Sequence, residues 1–345
     1  MQIHEQYMKR CFELALKGSH HAAPNPLVGC VIVYNGKIIG EGYHQKYGEA
    51  HAEVNAVKAV KDKSLLKEAT LYVNLEPCAH FGKTPPCANL ISEHKIPEVF
   101  ISNIDTFSKV SGKGIEKLKS YGCKVTTGIL DKEGRELNKR FFTYHEKKRP
   151  YIILKWAQTN DGFIAKNEQS EGEIDWITSK ETKKLVHKWR SEEMGILVGK
   201  NTVKNDNPSL TTREYTGKNP TRIILDSNLE LDSNKSVFNS EAKTLVINKV
   251  KNDSKEHIEH IKIDDTKNVE QILNALYERG ISSILIEGGT QIHNSFISQN
   301  IWDEARIFKS TSNWKNGLKA PVIKKTTNFC EKINVQEELN IVYNA

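Results

Sequence analysis

His51, Glu53, Cys78 and Cys87 stand close together in the first third of the chain and offer one imidazole, one carboxylate and two thiols. Zinc takes imidazole and thiolate ligands in a tetrahedron, and a catalytic site keeps one position open for water. His51, Cys78 and Cys87 suffice as ligands, which leaves Glu53 free to move protons. Zinc-activated water attacks an electron-poor ring carbon that carries an amino group. The signature of such deaminases is His-x-Glu followed by Pro-Cys-x-x-Cys, with the Glu as general acid/base. The sequence matches with one departure: eight residues separate Cys78 from Cys87 where two are usual. A structural zinc clip and a pair of buried thiols are the competing readings. A proline before each cysteine and a helix expected at each ligand favour the catalytic one.

His51 and Glu53 are two residues apart, a spacing that turns side chains to different faces inside a helix. Both serve one site only from the first turn. A helix is therefore expected to start near His51 and run through Val54, Val57 and Ala59, and Cys87 is expected to open the next one. Thiolates at such positions gain from the positive end of the helix dipole. Upstream, residues 3–17 carry Tyr7, Met8, Cys11, Leu14 and Ala15 at helical spacing. Runs 28–34 and 37–42 flank Asn35-Gly36, a strong hairpin signal. Strands at 70–74, 99–102 and 124–126 and helices at 113–121 and 131–143 complete a mixed sheet of about five strands covered by helices on both faces.

The charged segment 145–150, closed by Pro150, reads as a linker between a first domain, 1–144, and a second, 151–345. Beyond it, apolar strands at 151–157, 195–198, 221–225, 244–247 and 283–286 alternate with helices at 180–189, at 268–279 and after Gly289. Such alternation predicts a parallel, doubly wound α/β sheet. Glu287-Gly288-Gly289-Thr290 falls where a strand gives way to a helix, and free N–H groups there receive phosphate. Arg190 and Arg213 suit a phosphate by bidentate geometry. Lys155 lies in an apolar strand, where a charge needs a reason. Trp176 and Leu210 read as core from the residues alone.

The length of 345 residues suits two domains. A charged fraction of 27% and a hydrophobic fraction of 38%, with no apolar run near the ~20 residues of a membrane span, fit a soluble globular protein. The first residues lack an apolar signal segment, so the cytoplasm is expected. Net charge is +7, from 50 basic and 43 acidic residues, with lysines scattered along the chain. This predicts a solvated surface suited to small anionic substrates, and argues against nucleic-acid and membrane partners. An RNA-binding protein with structural zinc is the non-enzyme alternative; it needs a clustered basic face. Cys11, Cys30, Cys123 and Cys330 are expected as buried thiols.

The motifs Pro24-Asn25-Pro26-Leu27-Val28-Gly29, Gly40-Glu41-Gly42-Tyr43-His44, His51-Ala52-Glu53-Val54 and the run from Glu76 to Cys87 closely resemble the bifunctional riboflavin-biosynthesis deaminase/reductases, whose long loop between the cysteines is the family's own form. The second half agrees through Leu154-Lys155, Asp161-Gly162, the run from Trp176 to Ser179, Asn201-Thr202-Val203, the run from Asp206 to Thr211, Asp226-Ser227 and Glu287-Gly288-Gly289. The resemblance implies a cytidine-deaminase-like first domain and a dihydrofolate-reductase-like second domain that uses NADPH. It implies zinc-dependent deamination of 2,5-diamino-6-(5-phosphoribosylamino)pyrimidin-4-one and then reduction of the ribosyl chain to ribityl. A deaminase of another base, joined to a non-reducing domain, is the alternative within enzymes. By the same resemblance Asn25, His44, His80 and Lys83 hold the pyrimidine and its phosphate, while Arg190, Leu210, Arg213 and Glu287 contact the reductase substrate near Lys155. Gln158, Trp176, Thr202, Asp206, Ser227, Gly289 and Thr290 contact NADPH, and a homo-oligomer, dimer or tetramer, is expected. Three positions depart from the family: Asp105-Thr106-Phe107-Ser108 replaces Asp-Pro-Asn-Pro, Ile174 stands where Ser is frequent, and Asn207 stands where a second Asp is common.

Overall fold

Met8, Cys11, Leu14 and Ala15 recur every three to four residues and form the buried side of helix α1 (Gln2–Leu16). The computed structural model describes residues 2–19, 21–79, 81, 85–107, 111–166, 177–325 and 329–344. The chain divides into two units, Met1–Lys148 and Arg149–Ala345.

In the first unit α1 is followed by β1 (Gly29–Tyr34), β2 (Lys37–Tyr43), α2 (Ala52–Ala59), β3 (Thr70–Leu75), α3 (Cys87–Glu93), β4 (Glu98–Asn103), α4 (Lys113–Ser120), β5 (Lys124–Thr127), α5 (Asp131–Leu137) and α6 (Lys139–Lys147). Asn35 and Gly36 both take positive φ, as a two-residue hairpin turn requires, and join β1 antiparallel to β2. The sheet order is β2-β1-β3-β4-β5, with β3, β4 and β5 parallel. Alternate residues face opposite sides. Cys30, Ile32, Leu71, Val73, Val99 and Ile101 pack with α2, α3 and α4, whereas Val31, Val33, Tyr72 and Phe100 pack with α1. The helix expected over 131–143 is two helices broken at Asn138, whose side chain accepts the Leu27 N–H and donates to the Leu27 carbonyl. A side chain committed to a distant backbone competes with helix continuation. Likewise α6 continues to Lys147 through half of the expected linker and stops at Lys148, which takes positive φ.

The second unit holds β6 (Tyr151–Gln158), β7 (Phe163–Ala165), α7 (Lys180–Glu192), β8 (Gly195–Gly199), α8 (Lys200–Asp206), β9 (Thr221–Leu225), β10 (Thr244–Asn248), β11 (Asp253–Lys255) and β12 (Ile258–Lys262). Then come α9 (Val269–Tyr277), β13 (Ser283–Ile286), α10 (Thr290–Ser298), β14 (Glu304–Ser310), β15 (Leu318–Lys319), β16 (Phe329–Asn334) and β17 (Glu337–Tyr343). The large sheet runs β11-β12-β10-β9-β8-β13-β6-β14-β17-β16, and β7 pairs with β15 apart from it. Its centre, β12 through β14, is parallel as the alternation of strands and helices predicts. The margins correct that expectation: β11, β17 and β16 pair antiparallel, so the sheet is mixed. Ile152, Leu154, Ile284 and Ile286 pack on α9 and α10, and Tyr151, Ile153, Leu285 and Phe308 pack on α7. A sheet covered on both faces explains the near-continuous apolar runs. No helix among the described residues is long and apolar enough to cross a membrane.

Candidate active sites

In the first unit His51 caps α2 in an extended conformation, φ −72° and ψ 166°, and its ring makes no capping bond, so it turns to the cysteines. Glu53 lies in the first turn of α2, and Cys87 opens α3 directly after Pro86. Proline at that point presets the backbone for helix entry. His51 Nδ1 is 3.6 Å from Cys78 Sγ and 3.3 Å from Cys87 Sγ, and the three donor atoms lie within 4.8 Å of one another. Tetrahedral zinc, with bonds of ~2.3 Å to sulfur and ~2.0 Å to nitrogen, sets such donors about 3.5 Å apart. The residues present therefore fit the ion, in softness and in spacing.

The electrostatics agree with that use. The Cys87 thiol, and then His51, hold the Cys78 thiol well below its ordinary range, while the Cys78 contact and burial push Cys87 up. The Cys78 partner raises His51 to about 9. Burial pushes the Glu53 carboxyl up; it is 3% exposed and contacts Cys87. A carboxylate shifted this way is a stronger base than a free one, which suits proton transfer. Asn25 Nδ2 donates to His44 Nε2 at 3.0 Å, while His44 Nδ1 donates to the Ala50 carbonyl at 3.1 Å. The His44 and His51 rings are 5.5 Å apart, edge to face. Asn25, His44, His51, Glu53, Cys78 and Cys87 are thus brought together.

Glu76, which residue types and spacing did not single out, anchors the loop that carries Cys78. Its Oε2 accepts the N–H groups of Asp105 and Gly112 at 3.2 and 3.0 Å, and its Oε1 those of Gly114 and Ile115 at 2.8 and 3.3 Å. A carboxylate at the start of α4 satisfies orphan donors and meets the positive end of the helix. The available signal was a carboxylate at the end of an apolar strand, where it needs donors. Gly114 is required there, because a Cβ would lie 2.0 Å from the Pro77 carbonyl. Burial lifts the neighbouring Asp105 carboxyl to about 7. Phe107, in the departing segment, packs beside Phe141 and Phe142, its ring 4.9 Å from that of His145.

In the second unit Lys155 lies on the face of β6 covered by α7, and Glu287 follows β13 on the same side. Arg190 of α7 donates from Nε and Nη2 to the two Glu287 oxygens at 2.8 and 2.7 Å, and from Nη1 to the Thr211 carbonyl at 3.2 Å. Arg213 Nη1 donates to Thr211 Oγ1 at 3.0 Å. Burial raises the Glu287 carboxyl, but Arg190 and Lys155 outweigh it and bring it to about 2. Burial lowers Lys155 against the pull of Glu287. Lys155, Arg190 and Glu287 therefore form one cluster, to which Arg213 is joined through Thr211. Leu210, left-handed at φ 54°, packs in an apolar cluster with Ile196, Val198 and Ile224. Thr211 and His187, both in this cluster, were missed. The signal for the latter was a histidine one helical turn before Arg190.

The residues expected at the nucleotide are spread along one edge of the sheet. Gly289 caps α10, and Thr202 stands beside the Gly288-Gly289 turn, 3.0 Å from where a Gly288 Cβ would fall. Thr290 Oγ1 donates to the Lys319 carbonyl at 3.2 Å, and Ser227 bonds to Thr266. Asp206 ends α8, and burial raises its carboxyl. Gln158 ends β6, where its side-chain oxygen accepts from Trp156 at 2.8 Å. His80, Lys83, Trp176, Ile174 and Ser108 lie outside the described residues.

Comparison with known proteins fits both units. Residues 1–103 match the cytidine and deoxycytidylate deaminase zinc-binding region, and residues 150–310 match the RibD C-terminal domain. The riboflavin biosynthesis protein RibD of Aquifex aeolicus (strain VF5) is 43% identical over 323 residues, 92% of this chain and 89% of that protein. The RibD of Bacillus amyloliquefaciens is 40% identical over 89% of this chain and 84% of its own length. A crystal structure from Thermotoga maritima, a diaminohydroxyphosphoribosylaminopyrimidine deaminase/5-amino-6-(5-phosphoribosylamino)uracil reductase, superposes with a TM-score of 0.88 at 38% identity, covering 99% of both chains. The chain belongs to the RibD family of riboflavin-biosynthesis proteins, bifunctional enzymes that join a zinc-dependent deaminase to an NADPH-dependent reductase.

Proposed function

We propose that the first unit deaminates 2,5-diamino-6-(5-phosphoribosylamino)pyrimidin-4-one and that the second reduces the ribosyl chain of the product, the reactions named for the Thermotoga maritima relative. The observation that carries the first step is the meeting of His51, Cys78 and Cys87 beside a buried Glu53 whose carboxyl burial pushes up. Zinc held by those three side chains supplies a polarised water. The Glu53 carboxylate takes one proton from the attacking water and passes it to the ring nitrogen, then takes the remaining proton of the added hydroxyl and passes it to the leaving amine, so that one water enters and one ammonia departs. Asn25 and His44, paired to each other, hold the pyrimidine with His80 and Lys83.

For the second step, NADPH supplies the hydride. Lys155, whose proton burial loosens, gives a proton to the atom bonded to the reduced carbon, and hydride plus proton make two hydrogens. Arg190, Leu210, Arg213 and Glu287 contact the substrate. Gln158, Thr202, Asp206, Ser227, Gly289 and Thr290, with Trp176, contact the cofactor. The support is positional: the described ones among them lie at or after the carboxyl ends of β6, β8, β9 and β13, where open α/β sheets bind nucleotides, and Gly289 precedes a helix able to receive phosphate. We place the domain boundary at residues 145–150, between a deaminase domain of 1–144 and a reductase domain of 151–345, and the enzyme in the cytoplasm. Six free cysteines, Cys330 exposed among them, suit a reducing compartment. A homo-oligomer is supported by the open edge of β16, where Phe329 is exposed. Incubation with the pyrimidine, with and without NADPH, read by mass spectrometry, tests the reactions. One deamination without NADPH and two further hydrogens with it are expected, and an unchanged mass refutes the reading.

A further inference from the structure

We propose that His187 is the positioning residue for Arg213: its imidazole fixes segment 211–213 against α7 and so sets where the Arg213 guanidinium meets the reductase substrate. The inference rests on the assignment of Arg213 to substrate made above. His187 is 2% exposed on α7, three residues before Arg190 and so on the same helix face. Its Nδ1 accepts the Arg213 N–H at 2.9 Å and, more weakly, the Glu214 N–H at 3.4 Å. A ring nitrogen that accepts a backbone N–H carries no proton, so the ring is neutral with its hydrogen on Nε2. Burial, followed by Arg190 and Arg213, brings its pKa to about 4, which keeps that acceptor available at neutral pH.

The segment is gripped at two points from one helix. Arg190 donates to the Thr211 carbonyl at 3.2 Å, and His187 accepts from residue 213. Between them Thr212 is tied outward, its N–H to Asn219 at 2.8 Å and its hydroxyl to the Lys218 carbonyl at 3.1 Å. Arg213, which is exposed, is joined to the buried Thr211 by the bond from Nη1 to Oγ1 at 3.0 Å. The Arg190 grip is itself fixed by Glu287. Removing His187 frees the end that carries the guanidinium and leaves the other end in place.

The test uses the full chain loaded with zinc, with NADPH oxidation followed on the deaminated pyrimidine. His187→Phe keeps a ring and loses the acceptor. The KM for the pyrimidine should rise about 5- to 10-fold, the worth of one net hydrogen bond, with kcat within about twofold and the KM for NADPH unchanged. His187→Asn places an amide oxygen near the Nδ1 position and should return the KM to within about twofold of the parent. His187→Gln, whose amide reaches toward Nε2 instead, replaces the phenylalanine variant should that one not fold; deamination by the same chain and tryptophan fluorescence report folding. An unchanged KM in the acceptor-less variant, or an equal rise in the asparagine variant, overturns the proposal. Arg213→Ala is measured alongside. If it leaves the KM unchanged, the assignment of Arg213 fails and this inference with it; if it raises the KM while the acceptor-less variant does not, only the positioning role fails.

Discussion

Replacing Arg190 by methionine should destabilise the second unit by about 3–5 kcal/mol, because it strands a buried carboxylate. The structure supplies an independent magnitude. Glu287 titrates at about 2 in the folded chain against an ordinary 4.5, a gap worth roughly 3 kcal/mol in favour of the ionised form. A carboxyl depressed in this way stabilises the fold fully above pH 4.5, and the contribution is lost as pH falls toward 2. Arg190 is the largest of the basic partners that lower it, ahead of Lys155, and its fork is the only hydrogen bonding to the Glu287 side chain among the described residues. All five tryptophans, Trp156, Trp176, Trp189, Trp302 and Trp314, lie beyond Arg149, so fluorescence in a urea titration reads this unit alone. Trp189 is next to the substituted residue and packs in the α7 cluster. The double variant Arg190→Met/Glu287→Leu should be more stable than the single one, because no carboxylate is then left unpaired, and should still lack reductase activity. A cost below about 1 kcal/mol for the single variant, or a double variant no better than it, refutes the reasoning.

Glu53→Gln should lower ammonia release by at least about 100-fold while metal analysis finds zinc still bound; retained deamination would remove Glu53 from the proton path. Lys155→Met should leave deamination unchanged and cut NADPH oxidation by about 100-fold or more. Because Arg190 still pairs Glu287 when Lys155 is replaced, urea unfolding should show a smaller loss of stability than in Arg190→Met, and loss of both activities would count against separable sites. Gly114→Ala drives a methyl group to 2.0 Å from the Pro77 carbonyl, so the Cys78 loop must shift. Stability should fall by about 1–3 kcal/mol and zinc content with it, and full zinc occupancy at wild-type activity would show that the loop is not held as described.

The meeting of His51, Cys78 and Cys87 was legible because local signals mark where they sit. Pro86 announces the helix that Cys87 opens, and the two-residue spacing of His51 and Glu53 is met by His51 at the cap and Glu53 in the first turn of α2. Local signals also carried the Asn35-Gly36 hairpin and the parallel centre of the second sheet. Long-range commitments were not legible. Asn138 breaks a helix for the backbone of Leu27, 111 residues away, and nothing near it in sequence says so. Arg190 and Glu287 read separately as substrate contacts, yet they spend their best hydrogen bonds on each other across 97 residues. The margins of the second sheet were missed for another reason. Residues 329–332 of β16 are exposed one after another, so the strand shows none of the alternation that marks a half-buried sheet.

The two units solve the same physical problem with different sequences. A parallel strand ends with its carbonyls pointing past the sheet, and the helix that follows begins with unpaired N–H groups pointing back over that edge. In the first unit β3 delivers Glu76 and Cys78 to such an edge, where Glu76 consumes the N–H groups at the start of α4 and so fixes the loop that bears the thiol. In the second unit β13 delivers Glu287 and then Gly289, and here the start of α10 has no side-chain cap. A carboxylate that fills a helix start builds a rigid ligand loop, whereas a glycine that leaves it open makes room for a phosphate. The glutamate directly after each strand marks the difference: Glu76 is spent on the N–H groups of its own fold, whereas Glu287 is paired with Arg190 and the start of α10 two residues on is left without a side-chain cap.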